Sequence, residues 1–303
     1  MINRRHFIQG STSLLFAGQA LPSWSASTTL IKRPIPSSGE MLPVMGMGSS
    51  RTFDVAMEES ALAGLTRVME AFFAGGGSLI DSSPMYGAAE SVLGAVLDRI
   101  PDKPPLFAAT KVWTDGRESG VNQMQESSDR MGVPVFDLMQ IHNLRDWEVH
   151  LDTLREWKRR GKIRYIGITT SHQRNHEELE NIMRSQALDF VQFSYNIENR
   201  LAEQRLLPLA ADHGIATLIN RPFQRGSLFR KTRGVQLPAL AHELGCESWG
   251  QFFLKYIIGD PRVTCLIPAT SKLQHMTDNM GANTGVVPDA GQRRDMLKLY
   301  QSL

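Results

Sequence analysis

The chain has 303 residues, of which 42% are hydrophobic and 21% are charged, and its formal net charge at pH 7 is +2. Because this charge is small, no basic surface is indicated and nucleic acid is not an expected partner. The two cysteines, Cys246 and Cys265, are too few for a disulfide framework. Cys265 stands within an apolar run and is predicted to be a small buried hydrophobic residue.

Residues 1–27 are predicted to be an export signal that lies outside the folded domain. Arg4 and Arg5 are followed one residue later by Phe7 and Ile8, and residues 10–24 carry no charge. This pattern resembles a twin-arginine export signal, which implies the twin-arginine export machinery as a partner and the periplasm as the destination. The apolar part is too short to span a bilayer, so no stable membrane insertion is expected. The alternative is a cytoplasmic tail.

Residues 28–303 are predicted to form one domain in which strands and helices alternate. A hairpin comes first, with residues 30–36 and 41–48 flanking a turn signal. Predicted strands follow at 78–80, 106–112, 136–142, 163–169, 190–195, 216–219 and 264–267, and predicted helices at 55–74, 91–99, 122–131, 151–160, 177–184, 204–213, 237–244, 248–258 and 273–280. This alternation is typical of a parallel sheet, and the chain length favours closure into a (β/α)8 TIM barrel with an N-terminal β-hairpin.

A doubly wound nucleotide-binding sheet is the competing architecture. Its glycine fingerprint is incomplete, because Gly46 and Gly48 are followed by Arg51 where a third glycine is required. The sequence also contains no Walker-type phosphate loop, no HExxH motif and no GxSxG motif, and no metal site is predicted. These absences favour the barrel and weaken several other enzyme classes.

Four polar side chains stand at the ends of successive predicted strands. Asp81 ends the second barrel strand, Tyr86 follows it on the next loop, Lys111 ends the third strand and His142 ends the fourth. Since adjacent strands lie about 4.8 Å apart, these side chains are expected within hydrogen-bonding reach of one another. A phenol beside a lysine ammonium is a suitable proton donor to a carbonyl. Each residue alone has an ordinary structural explanation, but together they indicate a catalytic site.

The stretch around Asp81 also resembles a family signature. Asp81 is followed by the pair Tyr86-Gly87, and then by Glu90 before a leucine-glycine pair at 93–94. This arrangement is similar to a signature of the aldo-keto reductases, and the resemblance extends over nearly all of residues 28–303. It implies a barrel oxidoreductase that transfers hydride between NADP(H) and a small carbonyl or alcohol substrate, with NAD(H) as the alternative cofactor.

The resemblance assigns a role to each member of the four-residue set. Tyr86 is expected to be the general acid/base, and Lys111 is expected to lower the pKa of its phenol. Asp81 is expected to anchor Lys111, and His142 to orient the substrate carbonyl.

The resemblance also predicts residues that bind the cofactor. Thr169, Thr170 and Gln192 are expected at the nicotinamide amide. Arg221 and Arg225, on the loop after the seventh barrel strand, are expected at the pyrophosphate.

Further cofactor residues are predicted after the eighth strand. Thr270, Ser271 and Lys272 form a loop expected to hold the 2′-phosphate, and Gln274 and Asn279 are expected at the adenosine.

Several positions depart from the family pattern, among them Thr169 and Thr170, where the family usually has a serine and then an asparagine. Many members have an aromatic residue that stacks on the nicotinamide where this chain has Asn220. Asn220 therefore leaves open a nucleotide-binding, redox-sensing or regulatory barrel with little turnover. A separate rival interpretation is a barrel lyase or isomerase that needs no nicotinamide. The intact set of four residues argues against the regulatory barrel.

Overall fold

The computed structural model describes residues 29–171, 173 and 175–303. The predicted export signal at residues 1–27 lies outside the described residues. No helix in the described part of the chain combines the length and apolar character needed to cross a membrane.

The described chain begins with the predicted hairpin. Strand β1 (Lys32–Pro34) pairs antiparallel with β2 (Met41–Pro43). Gly39 takes a φ of 76° in the turn, a left-handed conformation that glycine adopts without strain. The second flank was predicted to continue to residue 48. It ends instead at Pro43, because residues 47–48 leave the hairpin and enter the main sheet.

The main sheet of the described residues has eight parallel strands in sequential order. They are β3 (Met47–Gly48), β4 (Leu79–Asp81), β5 (Phe107–Val112), β6 (Phe136–Ile141), β7 (Ile163–Thr169), β8 (Phe190–Ser194), β9 (Ala216–Asn220) and β10 (Cys265–Leu266). A parallel bridge between Met45 and Leu266 joins the first and last strands, and the amide of Gly46 donates to the carbonyl of Leu266 at 2.8 Å. The sheet is thus a closed barrel, which confirms the TIM-barrel prediction and excludes the doubly wound sheet.

Helices cover the outside of the barrel. They are α1 (Glu59–Ala74), α2 (Ala89–Asp98), α3 (Arg117–Met131), α4 (Trp147–Arg159), α5 (His176–Ser185), α6 (Leu206–Asp212), α7 (Leu228–Lys231), α8 (Ala239–Glu243), α9 (Trp249–Ile258), α10 (Leu273–Met280) and α11 (Ala290–Gln301). The sequence did not predict α7 or α11. Helix α11 buries only Met296 and Tyr300, so its apolar stripe is weak, although Asp289 and Gln292 form a capping box at its start.

The N-terminal end of the barrel interior is filled with apolar side chains. They come from the early interior-facing positions of the strands and from the hairpin beneath, and they are Ile35, Leu42, Leu79, Phe107, Ala109, Leu138, Tyr165, Phe190, Ala216, Leu218 and Cys265. Ile267, which follows β10, belongs to the same cluster and reaches the cavity at the C-terminal end. Cys265 is fully buried, as predicted. Side chains alternate along a strand, so the next interior positions on the same strands lie at the C-terminal end.

Candidate active site

The interior-facing positions nearest the C-terminal ends of the strands carry polar side chains, unlike the apolar layer at the N-terminal end. These residues are Asp81 on β4, Lys111 on β5, Gln140 on β6, Gln192 on β8 and Asn220 on β9. In a parallel barrel all of these strand ends meet at one face, where catalytic residues gather. The structure therefore brings together side chains that are up to 139 residues apart in the sequence, from 81 to 220.

Asp81 and Lys111 form a buried ion pair. Lys111 Nζ lies 2.6 Å from Asp81 Oδ2, and the two side chains are 0% and 2% exposed, respectively. Lys111 Nζ also donates to the carbonyl of Ser82 at 2.6 Å. Burial lowers the pKa of Lys111, but the nearby Asp81 and Tyr86 raise it, and the net shift is upward. Lys111 is therefore a charged ammonium at neutral pH, as its predicted role requires.

The second oxygen of Asp81 is held by two glutamines. Gln140 Nε2 donates to Asp81 Oδ1 at 2.8 Å and Gln192 Nε2 donates to the same atom at 3.2 Å. Gln192 Nε2 also donates to Gln140 Oε1 at 3.0 Å. The carboxylate is thus hydrogen-bonded on both oxygens, as a buried charge requires. Sequence reasoning missed Gln140, although its place two residues after Leu138 on β6 marks it as interior-facing.

Tyr86 lies beside this ion pair. Lys111 Nζ is 5.3 Å from the centroid of the Tyr86 ring. Burial raises the pKa of Tyr86 above its ordinary value, while the positive charge of Lys111 lowers it and Asp81 raises it, so the net shift is upward. The phenol is therefore fully protonated at neutral pH, with Lys111 placed to stabilise the phenolate formed when the proton leaves.

His142 completes the set of four. Its ring meets the ring of Tyr86 edge-on, with centroids 5.7 Å apart and planes at 87°. Burial, followed by the charge of Lys111, holds the pKa of His142 well below its ordinary value, so the imidazole is neutral. His142 Nδ1 is 2.8 Å from Ser83 Oγ, a buried partner that the sequence did not predict.

A cavity of about 1140 Å³ opens above these residues. Asp81, Tyr86 and His142 form part of its wall, and Lys111 is not among the lining residues. The predicted cofactor residues in the wall are Thr169, Thr170, Gln192, Arg221, Arg225, Thr270 and Asn279. Ser271, Lys272 and Gln274 are exposed and lie outside the wall of the cavity. Their contact with a cofactor stays a prediction.

The wall formed by the loop after β9 is rich in arginine and polar atoms without partners. Arg221 Nε and Nη1 on this loop, and Thr170 Oγ1 on the neighbouring loop after β7, are buried and have no hydrogen-bond partner among the described residues. Burial, together with the charges of Arg225 and Arg51, lowers the pKa of Arg221. Arg51, which the sequence analysis passed over as a failed glycine position, also lines the cavity. Positive side chains that repel one another and lack partners fit an anionic ligand.

Backbone strain is confined to the same end of the barrel. All the non-glycine residues with positive φ in the described chain lie in loops after strands β3, β6, β7 and β9; they are Arg51, Asn143, Leu144, Asp146, Gln173, Asn175, Arg221, Gln224 and Arg225. Such conformations cost about 1–3 kcal/mol each and gather where a site needs fixed geometry. The backbone conformations of the loops around the cavity therefore lower the free energy of unfolding.

The model of the aldo/keto reductase family matches residues 44–290. The chain belongs to the aldo/keto reductase family. Members of this family are NAD(P)-dependent oxidoreductases, and the chain is assigned to that class of enzyme.

Individual relatives are distant. The aldo-keto reductase YhdN of Bacillus subtilis is 28% identical over 169 residues, which are 51% of this chain and 50% of that protein. The aldo-keto reductase AKR2E4 of Bombyx mori is 24% identical over 80% of this chain and 84% of its own length. Among solved structures, an aldo-keto reductase from Klebsiella pneumoniae in complex with NADPH superimposes with a TM-score of 0.72 at 19% identity, over 89% of this chain and 96% of its own.

Asn220, the position predicted to depart from the family pattern, takes part in the polar network. Its Nδ2 donates to the carbonyl of Thr170 at 3.0 Å and to Gln192 Oε1 at 3.3 Å. Its Oδ1 accepts from Ser194 at 2.6 Å. This side chain therefore connects three neighbouring strand ends instead of providing a stacking surface.

Proposed function

We propose that this aldo/keto reductase-family chain transfers a hydride between NADP(H) and an aldehyde, ketone or alcohol substrate. The observation that carries the proposal is the position of Tyr86 on the cavity wall, beside the buried Asp81–Lys111 pair and in edge contact with His142. A protonated phenol and a neutral imidazole at one cavity wall, with a fixed ammonium behind them, are groups suited to carbonyl reduction.

In the reductive direction the carbonyl oxygen needs a proton as the carbonyl carbon gains a hydride. When bound in the cavity, NADP(H) would supply the hydride in this direction and would accept it in the reverse direction. Tyr86 donates its phenolic proton to the oxygen, and Lys111 stabilises the phenolate that remains. Asp81 holds the ammonium in place at 2.6 Å, and His142 donates a hydrogen bond to the same carbonyl oxygen. Solvent then returns a proton to Tyr86.

The residues in the cavity wall fit a nicotinamide dinucleotide. Both amide hydrogens of Gln192 are directed to Asp81 and Gln140, and its Oε1 accepts from Asn220, so the second lone pair of Oε1 is left for a carboxamide N–H. The unpartnered nitrogens of Arg221, with Arg225 in the same wall, suit a pyrophosphate. Lys272 is the proposed reader of the 2′-phosphate that distinguishes NADP from NAD. The solved relative in complex with NADPH supports the choice of NADP.

The test is the oxidation of added NADPH, followed by absorbance, with a panel of aldehydes and ketones that differ in size and charge. We expect aldehyde-dependent oxidation that requires the intact Tyr86 hydroxyl. A chain that binds NADPH tightly but turns over no member of the panel in either direction would favour the regulatory barrel. Conversion of a substrate without any nicotinamide would favour a lyase or isomerase.

We also propose that the chain reaches the periplasm by the twin-arginine route, as Arg4-Arg5 and the uncharged stretch at 10–24 suggest. Replacing both arginines by lysine keeps the charge and removes the bidentate guanidinium groups. We expect the unaltered chain in the periplasmic fraction and the doubly substituted chain in the cytoplasm. Cytoplasmic retention of both forms would contradict the proposal.

Export and the use of NADP(H) together imply that the cofactor travels with the protein. With association at about 10⁶ M⁻¹s⁻¹, a residence time of some minutes requires a dissociation constant of about 10 nM or below. The protein collected from the periplasm without added cofactor should release about one NADP(H) per chain on denaturation. Chromatography of the released nucleotide measures this ratio, and cofactor-free periplasmic protein would refute co-transport.

A further inference from the structure

Ser83 contacts His142 but has no role in the proposed reaction as described above. It lies on the loop after β4, two residues beyond Asp81, and its side chain is buried. Its Oγ is 2.8 Å from Nδ1 of His142, whose exposed fraction is 6%. The aldo-keto reductase signature found in the sequence includes neighbours of this serine, but it gives the serine itself no role.

The hydrogen bonds of Ser83 show which way its proton points. The amide of Met85 donates to Ser83 Oγ at 3.2 Å, so one lone pair of this oxygen is occupied. Among the described residues, His142 Nδ1 is the only other partner of Ser83 Oγ. A hydroxyl carries a single hydrogen, and this hydrogen has no alternative acceptor among those residues. The Ser83 hydroxyl therefore donates to Nδ1, which must accept and carries no proton.

The protonation state of the His142 imidazole follows from its surroundings. The charged groups near it are the Lys111 ammonium and its partner Asp81, and its ring neighbours are Tyr86 and Trp113. Burial and the lysine charge keep the imidazole neutral, so it has one N–H group. With Nδ1 accepting from Ser83, that N–H group is at Nε2, the ring nitrogen left for the cavity.

We propose that Ser83 is a positioning residue that fixes His142 as the tautomer protonated at Nε2, so that His142 donates a hydrogen bond to the substrate carbonyl. The inference rests on the proposed function for its catalytic meaning. In the opposite tautomer, Nε2 would present a lone pair to the carbonyl oxygen and repel it. With the correct tautomer, Tyr86 and His142 both donate to the oxygen on which negative charge develops.

The tautomer can be observed directly by NMR of protein labelled with ¹⁵N-histidine, because protonated and unprotonated ring nitrogens differ widely in chemical shift. The chain has 8 histidines, and the spectrum of a His142→Asn variant assigns the signals of His142. We expect an unprotonated Nδ1 and a protonated Nε2 in the unaltered protein. Ser83→Ala should give a mixture of tautomers, and Ser83→Thr, which keeps the hydroxyl, should restore the single form. A protonated Nδ1 in the unaltered protein would overturn the proposal.

Kinetics supply the second measurement. One neutral hydrogen bond corresponds to about a three- to tenfold effect, so Ser83→Ala should lower kcat by that factor and leave the KM for NADPH unchanged. Ser83→Thr should recover most of the activity. The matched control is Ser127→Ala, which removes an equally buried hydroxyl that is bonded to Glu90 on α2. Its kcat should not change.

The two proposals fail in different ways. If Ser83→Ala kept both the single tautomer and the full kcat, Ser83 would have no positioning role even in an active reductase. If the unaltered protein reduced no carbonyl compound, the proposed function would fail, and the ¹⁵N spectrum would still decide whether Ser83 sets the tautomer.

Discussion

The two ends of the barrel are built from the same strands but differ in almost every physical property. At the N-terminal end the interior is apolar, and the β1–β2 hairpin supplies Ile35 and Leu42 to it. At the C-terminal end the interior positions hold the charged and amide side chains from Asp81 to Asn220, and the loops carry all the positive-φ strain described above. The change occurs within single strands: on β5 the interior positions pass from Phe107 through Ala109 to Lys111.

The residues that stabilise the fold and the residues of the candidate site thus lie at opposite ends of the barrel axis. Apolar burial at the N-terminal end supports the fold, at about 25 cal/mol for each Å² removed from water. At the C-terminal end, buried charges and strained loops reduce the free energy of unfolding that this burial provides. Substitutions at the C-terminal end should therefore change mainly kcat, and substitutions at the N-terminal end mainly the free energy of unfolding.

The largest expected effect is that of Tyr86→Phe. Removing only the hydroxyl should lower kcat about 10²–10⁴-fold, because a general acid is lost. The matched control is Tyr165→Phe at the opposite end, where the phenol donates to Glu40 and is hydrogen-bonded to the Ser38 hydroxyl beside the hairpin. The control should keep its kcat and lose a little thermal stability. Equal kcat values for the two variants would contradict the assignment of Tyr86.

Phe190→Ala should show the opposite behaviour. The Phe190 ring is fully buried and lies 6.0 Å from the ring of Phe107 and 5.6 Å from that of Tyr165. Its truncation should lower the free energy of unfolding by about 3–5 kcal/mol. Denaturant titration measures this loss, and kcat per folded molecule should be retained. A drop in kcat with unchanged stability would mean that the two ends are not separable.

Lys272→Ala is expected to have the smallest effect. If Lys272 binds the 2′-phosphate, the variant should bind NADPH about tenfold more weakly and NADH almost unchanged, because one charge-assisted contact is lost. Lys298→Ala, which removes an exposed lysine on α11, serves as the control. Fluorescence titration gives both affinities. Equal losses for NADPH and NADH would assign Lys272 to another role.

Much of this architecture could be predicted because it depends on local sequence patterns. The strand at 163–169 was predicted with its observed bounds, since apolar β-prone residues there are followed by polar loop residues. The closeness of Asp81 and Lys111 followed from their places at adjacent strand ends, whereas their pairing was assigned by the resemblance. Both features need only the alternation along a strand and the order of strands in a parallel barrel.

Other parts depend on three-dimensional geometry that no local pattern encodes. The Ser83–His142 hydrogen bond joins two loops whose side-chain directions are set by backbone turns. Gln140 was missed because its amide becomes informative only when Asp81 is opposite it. The sequence also could not show that Lys272 lies outside the wall of the cavity, because the path of the loop after β10 decides this.

The most direct test of the central claim, that Tyr86 donates the proton with Lys111 beside it, is the pH dependence of single-turnover carbonyl reduction. Burial raises the pKa of Tyr86 and the charge of Lys111 opposes this shift. The reduction rate of the unaltered protein should therefore stay constant through neutral pH and fall only when the phenol ionises. In Lys111→Met the rate should be lower and this fall should move to higher pH. An unchanged profile with full activity in Lys111→Met would contradict the account.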